Sequence, residues 1–191
     1  MTLPLLSIVV AAPFVAALLL LLLPPTARLP IRLVSLLGAL TAFAGSIAVA
    51  TQYDLTTGGL QLEESYPLVP SMGITLRLAV DGWGVSLLLL TGVIIVGGVM
   101  ATWTLKDRTK DFYVMLLVLV AGVFGVFVAQ DLFIFFLFYE IAVLPMYLLI
   151  GIWGGPRKVY ASLKFFIYTM AGSIFLLVAI IAMFLQAGTF S

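Results

Sequence analysis

The 191-residue chain contains no cysteine and no histidine. Without thiolates or imidazoles it cannot ligate an iron–sulfur cluster through cysteine, attach a c-type haem, hold a haem through histidine or build the usual zinc sites. If the protein serves a redox system, the electrons travel elsewhere. Charge is also scarce, at 9% of residues, while 64% are hydrophobic, against roughly 45–50% in a soluble domain. A soluble fold of this size could not hide that much apolar surface, so the chain reads as an integral membrane protein. The net charge of +1 carries no signal for nucleic acid, and no basic cluster is dense enough to bind it.

What is present falls into six apolar runs. The first covers Leu3 to Leu23; nothing basic precedes it and it is long enough to span, which argues against a secretory signal. Pro13 lies inside it, as lipid-embedded helices tolerate. The stretch from Pro24 to Arg32 is a short basic connection, its prolines breaking the helix, and the second span runs from Ile31 to about Thr51. Within it Gly38, Ala42 and Ser46 recur every four residues and form a small-residue face for close packing.

Residues 52–80 form one long polar loop between the second and third spans. Tyr66 to Ser71 is rich in turn formers, and Ile74 to Val80 alternates as a short strand would. The expectation is a compact strap across helix ends, with a hairpin inside it. Asp81 then suits an N-cap and Trp83 an interfacial belt, opening a third span to about Leu105. The fourth span runs from Phe112 to Ala129, the fifth from Leu132 to about Ile152 and the sixth from Val159 to about Leu185. The fold class is therefore all-α membrane protein with about six transmembrane helices: two in 1–51, a loop at 52–80 and four in 81–191.

Connections one–two, three–four and five–six carry Arg28, Arg32, Lys106, Arg108, Lys110, Arg157 and Lys158, whereas the opposite face carries Arg77. Seven against one makes the basic side cytoplasmic and puts the N-terminus on the outer side.

Two charged side chains stand well inside spans, Glu140 and Lys164. An ionisable group at the centre of a spanning helix costs about 2.5–3.5 kcal/mol on insertion scales, so a site is the default reading. Tyr147 shares a helix face with Glu140, and Tyr160 and Tyr168 share one with Lys164. Glu140 lies about 20 Å from the basic end of its helix and Lys164 about 10 Å from the same side, which argues against a direct salt bridge. Lys164 has an alternative role, snorkelling to the interface. Pro145 cannot donate to the carbonyl of Ile141, and a freed carbonyl beside a carboxyl can hold proton-carrying water; an ordinary helix kink is the alternative. The sequence shows no phosphate loop, nucleophile elbow or metal-ligand spacing, so no residue is assigned to catalysis or metal binding. Gly122 to Gly125 reads as helix packing.

Several segments carry a resemblance: Glu63 to Pro70, Asp81-Gly82, Asp131-Leu132, Phe138 to Ile141, Leu144 to Tyr147 and Lys164 to Thr169. Together they resemble the antiporter-like proton-pumping subunits of complex I, chain 4 (the M or D type of NADH–quinone oxidoreductases). Members of that family have roughly fourteen helices around two inverted repeats. The resemblance implies that this chain is their N-terminal part, the start of the antiporter-like module, without the seventh and eighth helices that carry further lysines.

It also implies that Glu140 takes part in proton translocation, with Lys164 on the sixth-helix motif and Pro145, Tyr147 and Tyr168 in support. NAD(P)H, FMN, iron–sulfur clusters and quinone are then expected in other subunits, with none in this chain. The implied partners are other membrane-arm subunits, further antiporter-like chains among them, and the lipid bilayer. The setting is a bacterial plasma membrane or a thylakoid. Two alternatives come from other classes: a subunit of a multisubunit sodium/proton antiporter, and a structural fragment without transport.

Overall fold

The computed structural model describes residues 4–69, 74–188 and 190. Its elements are α1 (Leu5–Leu22), α2 (Arg28–Gln52), β1 (Gln61–Val69), β2 (Ile74–Val80), α3 (Gly82–Ala101), α4 (Thr109–Val128), α5 (Leu132–Trp153) and α6 (Lys158–Ala187). All six helices are long and apolar enough to cross a membrane.

The helices pack by shape more than by segregated faces. α1 sits between α2 and α4, α3 lies on α2, α5 lies on α4, and α6 packs chiefly on α5. The main core gathers Leu6, Leu20, Ile31, Leu88, Tyr113 and Phe124 from the first four helices. Small residues bring backbones close, as van der Waals packing between apolar helices requires. A Cβ on Gly38 would collide with the Ala16 methyl, and Ala42 and Ser46 on the same face are fully buried. On α4, a Cβ at Gly125 would enter the Phe138 ring, and one at Gly122 would meet Ala142 and the Phe138 carbonyl. The Gly122–Gly125 pair is thus the seat on which α5 rests.

Three boundaries differ from the sequence expectation. α2 begins at Arg28, with Pro30 in its first turn. First-turn amides have no intrahelical acceptor, so proline removes nothing there. α3 stops at Ala101, and Thr102 to Thr104 form a turn in which Thr102 Oγ1 donates back to the Gly98 carbonyl at 2.7 Å. β1 runs on through Pro67 to Val69, where a turn was expected. Pro67 opposes Thr75 beside a register shift, in a two-stranded ribbon whose outer edges need no donor. Residues 70–73, the rest of that expected turn, lie outside the described residues.

Connectivity sorts the helix ends into two faces. On one, the β hairpin lies across α1, α3, α4 and α5. Glu64 accepts the amides of Leu6 (2.9 Å) and Ser7 (3.0 Å), filling the N-terminal cap that Pro4 cannot supply. Asp81 caps α3 by accepting from Gly84 N at 2.7 Å. The Gln130 amide donates to the Arg77 carbonyl at 2.9 Å, tying β2 to the α4–α5 corner.

On the opposite face, basic side chains close the C-terminal ends of helices. Lys110 donates to the carbonyls of Leu21 (2.8 Å) and Leu23 (2.7 Å) at the end of α1, and Lys158 to Ile152 (2.6 Å) near the end of α5. Arg32 donates to Leu105 O at 3.0 Å. The two lysines complement the partial negative charge of a helix C-terminus, whereas Arg32 ties α2 to the α3–α4 connection.

Candidate functional site

Glu140 lies in the middle of α5, which begins at an Asp131 cap and continues as helix through buried Pro145. Its side chain is half-buried, and its Oε1 is buried with no hydrogen-bond partner among the described residues. The helix periodicity sets Leu137, Leu144 and Tyr147 on the same face. Leu137 is 44% exposed and Leu144 56%. The face that bears Glu140 is therefore turned away from α4, with exposed Leu137 and Leu144 on one flank and Val143, 7% exposed, on the other. Tyr147 closes one end of this strip, its ring 5.0 Å from that of Phe166 on α6.

Lys164 is placed differently. It is exposed on α6, with Nζ 5.8 Å from the Tyr160 ring centroid and 5.9 Å from that of Tyr168. The two rings stand one turn to either side along the helix, each within reach of a cation–π contact with the ammonium. Ser162 is buried where a Cβ at Gly151 of α5 would approach its Oγ to 3.2 Å. Two residues on, at about 100° per residue, Lys164 points away from α5. Glu140 and Lys164 form no ion pair among the described residues. The structure thus joins Tyr147 to the Glu140 face and sets Tyr160, Lys164 and Tyr168 on another. No group of three or more potential metal ligands occurs among the described residues.

Sequence reasoning missed two carboxylates with structural roles. Asp131 is 1% exposed and its Oδ1 accepts the amides of Phe133 (2.9 Å) and Ile134 (3.2 Å). An aspartate just before a long apolar run is an N-cap signal that was available to find it. Glu64 reaches an amide 57 residues away, and no local pattern encodes that.

Glu140 thus presents a buried carboxyl oxygen without a hydrogen-bond partner among the described residues, in a helix that is otherwise apolar. Comparison with known proteins bears on what that serves. The family described as NADH:quinone oxidoreductase/Mrp antiporter, TM, matches residues 129–191, which contain both Glu140 and Lys164. The chain is 39% identical over 189 residues to NAD(P)H-quinone oxidoreductase chain 4 of Trichodesmium erythraeum, covering 98% of this chain and 36% of the relative. It is 44% identical over 177 residues to the chain 4 protein of a Nostoc species, covering 92% and 33%. Its fold is similar to a chain of respiratory complex I from Thermus thermophilus with bound NADH, with a TM-score of 0.83, 27% identity, and coverage of 97% of this chain and 37% of that one. The chain spans about a third of the length of the curated relatives it matches. Over nearly all its residues the chain is thus similar, in sequence and in fold, to about a third of the length of antiporter-like membrane subunits of NAD(P)H-quinone oxidoreductase, chain 4 type.

Proposed function

We propose that this chain forms part of a proton-translocation path in a membrane subunit of an NAD(P)H–quinone oxidoreductase. The observation that carries the proposal is Glu140, whose Oε1 is buried without a hydrogen-bond partner among the described residues, on a face of α5 turned away from α4. Its charge partner comes from an element beyond this chain, and the resemblance supplies a lysine for that place. A lysine brought near Glu140 favours the carboxylate, and its withdrawal leaves an anion in apolar surroundings, which favours proton uptake. Alternation of the two states loads and releases a proton.

This subunit carries no redox chemistry of its own. NAD(P)H, FMN, iron–sulfur clusters and quinone belong to other subunits, and their electron transfer drives the alternation. Pro145, Tyr147 and Tyr168 support the water or proton path, and Lys164 supplies a second charge on α6. The partners are the other membrane-arm subunits, including further antiporter-like chains. The basic face is cytoplasmic, so the hairpin and the N-terminus lie on the outer side of a bacterial plasma membrane or within a thylakoid lumen.

Gentle detergent extraction and native-gel separation test the assignment, with an in-gel NADH oxidation stain and peptide identification on the same band. Migration in a large band with iron–sulfur subunits and NADH oxidation is the expected result. Migration with small antiporter chains and no iron–sulfur subunits would instead assign the chain to a sodium/proton antiporter.

A further inference from the structure

The proton path proposed above leaves a second buried carboxyl unused. Asp131 stands at the α4–α5 corner on the hairpin face, 1% exposed. Its two oxygens have different surroundings. Oδ1 accepts the Phe133 and Ile134 amides at 2.9 and 3.2 Å, while Oδ2 is buried without a hydrogen-bond partner among the described residues.

The corner is enclosed on two sides. The Gln130 amide donates to the Arg77 carbonyl at 2.9 Å and its side-chain amide to the Ala79 carbonyl at 3.2 Å, which fixes β2 against it. On the other side the Leu132 amide donates to the Phe190 carbonyl at 3.0 Å, and the Phe190 ring stacks on Phe184 with centroids 4.1 Å apart. The neighbours of Asp131 along the chain, Ala129 and Leu132 to Ile134, belong to an apolar cluster with Ile74, Ile180 and Phe190.

Capping needs one acceptor oxygen, and Ser, Asn and Asp serve about equally. The corner nevertheless holds a carboxyl whose second oxygen is taken out of water, so burial disfavours its charge while the two capping amides and the positive end of α5 favour it. The positive end of α5 disfavours a metal cation at this place. A proton on Oδ2 removes the charge and leaves the cap intact, because the carbonyl oxygen of a neutral acid still accepts both amides.

We propose that Asp131 is a proton-holding site at the hairpin face, with Oδ1 capping α5 and Oδ2 taking up and releasing a proton. The inference rests on the translocation reading given above. The Oδ2–H bond forms with a proton delivered by water from the bundle interior and breaks with release to water on the hairpin face. Asp131 and Glu140 are nine residues apart, about 13 Å along the helix axis and half a turn around it, so water and not direct contact links them. The charged groups of the neighbouring elements are Arg77 on β2, Glu63 paired to it and Glu64 beside it on β1, and Glu140 further along α5. The last two turns of α4 and the last four of α6 carry no ionisable side chain.

The test uses the full-length subunit in the assembled complex, in membrane vesicles, with proton uptake measured per electron passed to quinone. Asp131→Asn keeps a good cap and removes the titrating oxygen. The expected result is normal assembly and the loss of this subunit's share of protons per electron. Wild-type pumping in Asp131→Asn would overturn the inference. Glu140→Gln, measured alongside, separates the two claims. If Glu140→Gln also pumps as wild type, the translocation reading fails; if it loses pumping while Asp131→Asn does not, only this inference fails. Should Asp131→Asn not assemble, Asp131→Ser provides a second cap without a carboxyl, to be read in the same way. Infrared difference spectra of the wild-type complex labelled with 13C-aspartate need no variant. A protonated aspartate band that exchanges slowly in D2O and changes with pH supports the site, and its absence overturns it.

Discussion

Replacing Gly122 by alanine gives the sharpest test of how α5, and with it Glu140, is seated. A methyl at Gly122 would meet Ala142 Cβ, Ala142 N and Phe138 O, each at 3.0 Å. Two of these three are main-chain atoms of α5 and cannot swing aside. Apolar carbons settle at about 3.5–4.0 Å from their neighbours, so α4 and α5 must part by roughly half an ångström or more. Overpacking of this kind costs about 1–3 kcal/mol. Alanine returns about 0.8–1.0 kcal/mol in helix propensity. The net expectation is destabilisation by about 1 kcal/mol, within a range of about 0–2. Gly97 on α3 has nothing within 4 Å of its Cβ position. There the propensity gain stands alone, and Gly97→Ala should stabilise by up to about 1 kcal/mol. The two substitutions are chemically identical and should move stability in opposite directions. Reversible unfolding of the purified chain in mixed micelles, titrated with SDS and followed by tryptophan fluorescence, reads the difference. Adding Ala142→Gly to Gly122→Ala should recover only part of the loss, because the main-chain contacts stay. A Gly122→Ala protein as stable as Gly97→Ala would refute the close-packed α4–α5 seat.

Three further outcomes follow from the geometry. Glu64→Ala strips the acceptor from the Leu6 and Ser7 amides; it should destabilise by about 0.5–2 kcal/mol and speed hydrogen exchange at those two amides, and unchanged exchange would remove Glu64 as the cap. Asp54 on the loop is held below its ordinary value of 3.8, chiefly by the hydroxyl hydrogen bond from Thr56 and then by the Thr56 amide. A depressed folded-state value means stability present above the unfolded value and lost as pH falls through the folded one, so Thr56→Ala should raise the Asp54 midpoint in a carboxyl NMR titration. Because Lys164 points away from α5, a double-mutant cycle between Glu140→Gln and Lys164→Met should show coupling below about 0.5 kcal/mol, measured by the same SDS titration; a clearly larger value would mean that the two charges meet.

The spans were legible because lipid imposes a simple rule: about twenty apolar residues, with every backbone group satisfied within the helix. The same physics made Glu140 conspicuous, since one carboxyl interrupts an otherwise apolar stretch. Local chemistry also showed through at Asp81, whose cap is formed, and at Gly38, Ala42 and Ser46, whose face is buried. What stayed hidden was contact between distant parts of the chain. Glu64 looked like loop charge until the hairpin brought it to α1. Lys110 and Lys158 read as topology markers, yet they also close helix ends. Proline was over-read as a breaker at Pro30 and Pro67, because a first helical turn and the edge of a ribbon leave its missing amide without consequence. The sequence set Lys164 and Glu140 at different depths but could not orient them; that needed the α5–α6 contact through Gly151 and Ser162.

Glu140→Gln in the full-length subunit of the assembled complex tests the central claim most directly. Glutamine keeps the shape and removes the titrating proton. Proton uptake into membrane vesicles, driven by NAD(P)H oxidation, should lose this subunit's share per electron while the complex assembles in normal amount. Wild-type proton uptake per electron in that variant would contradict the account.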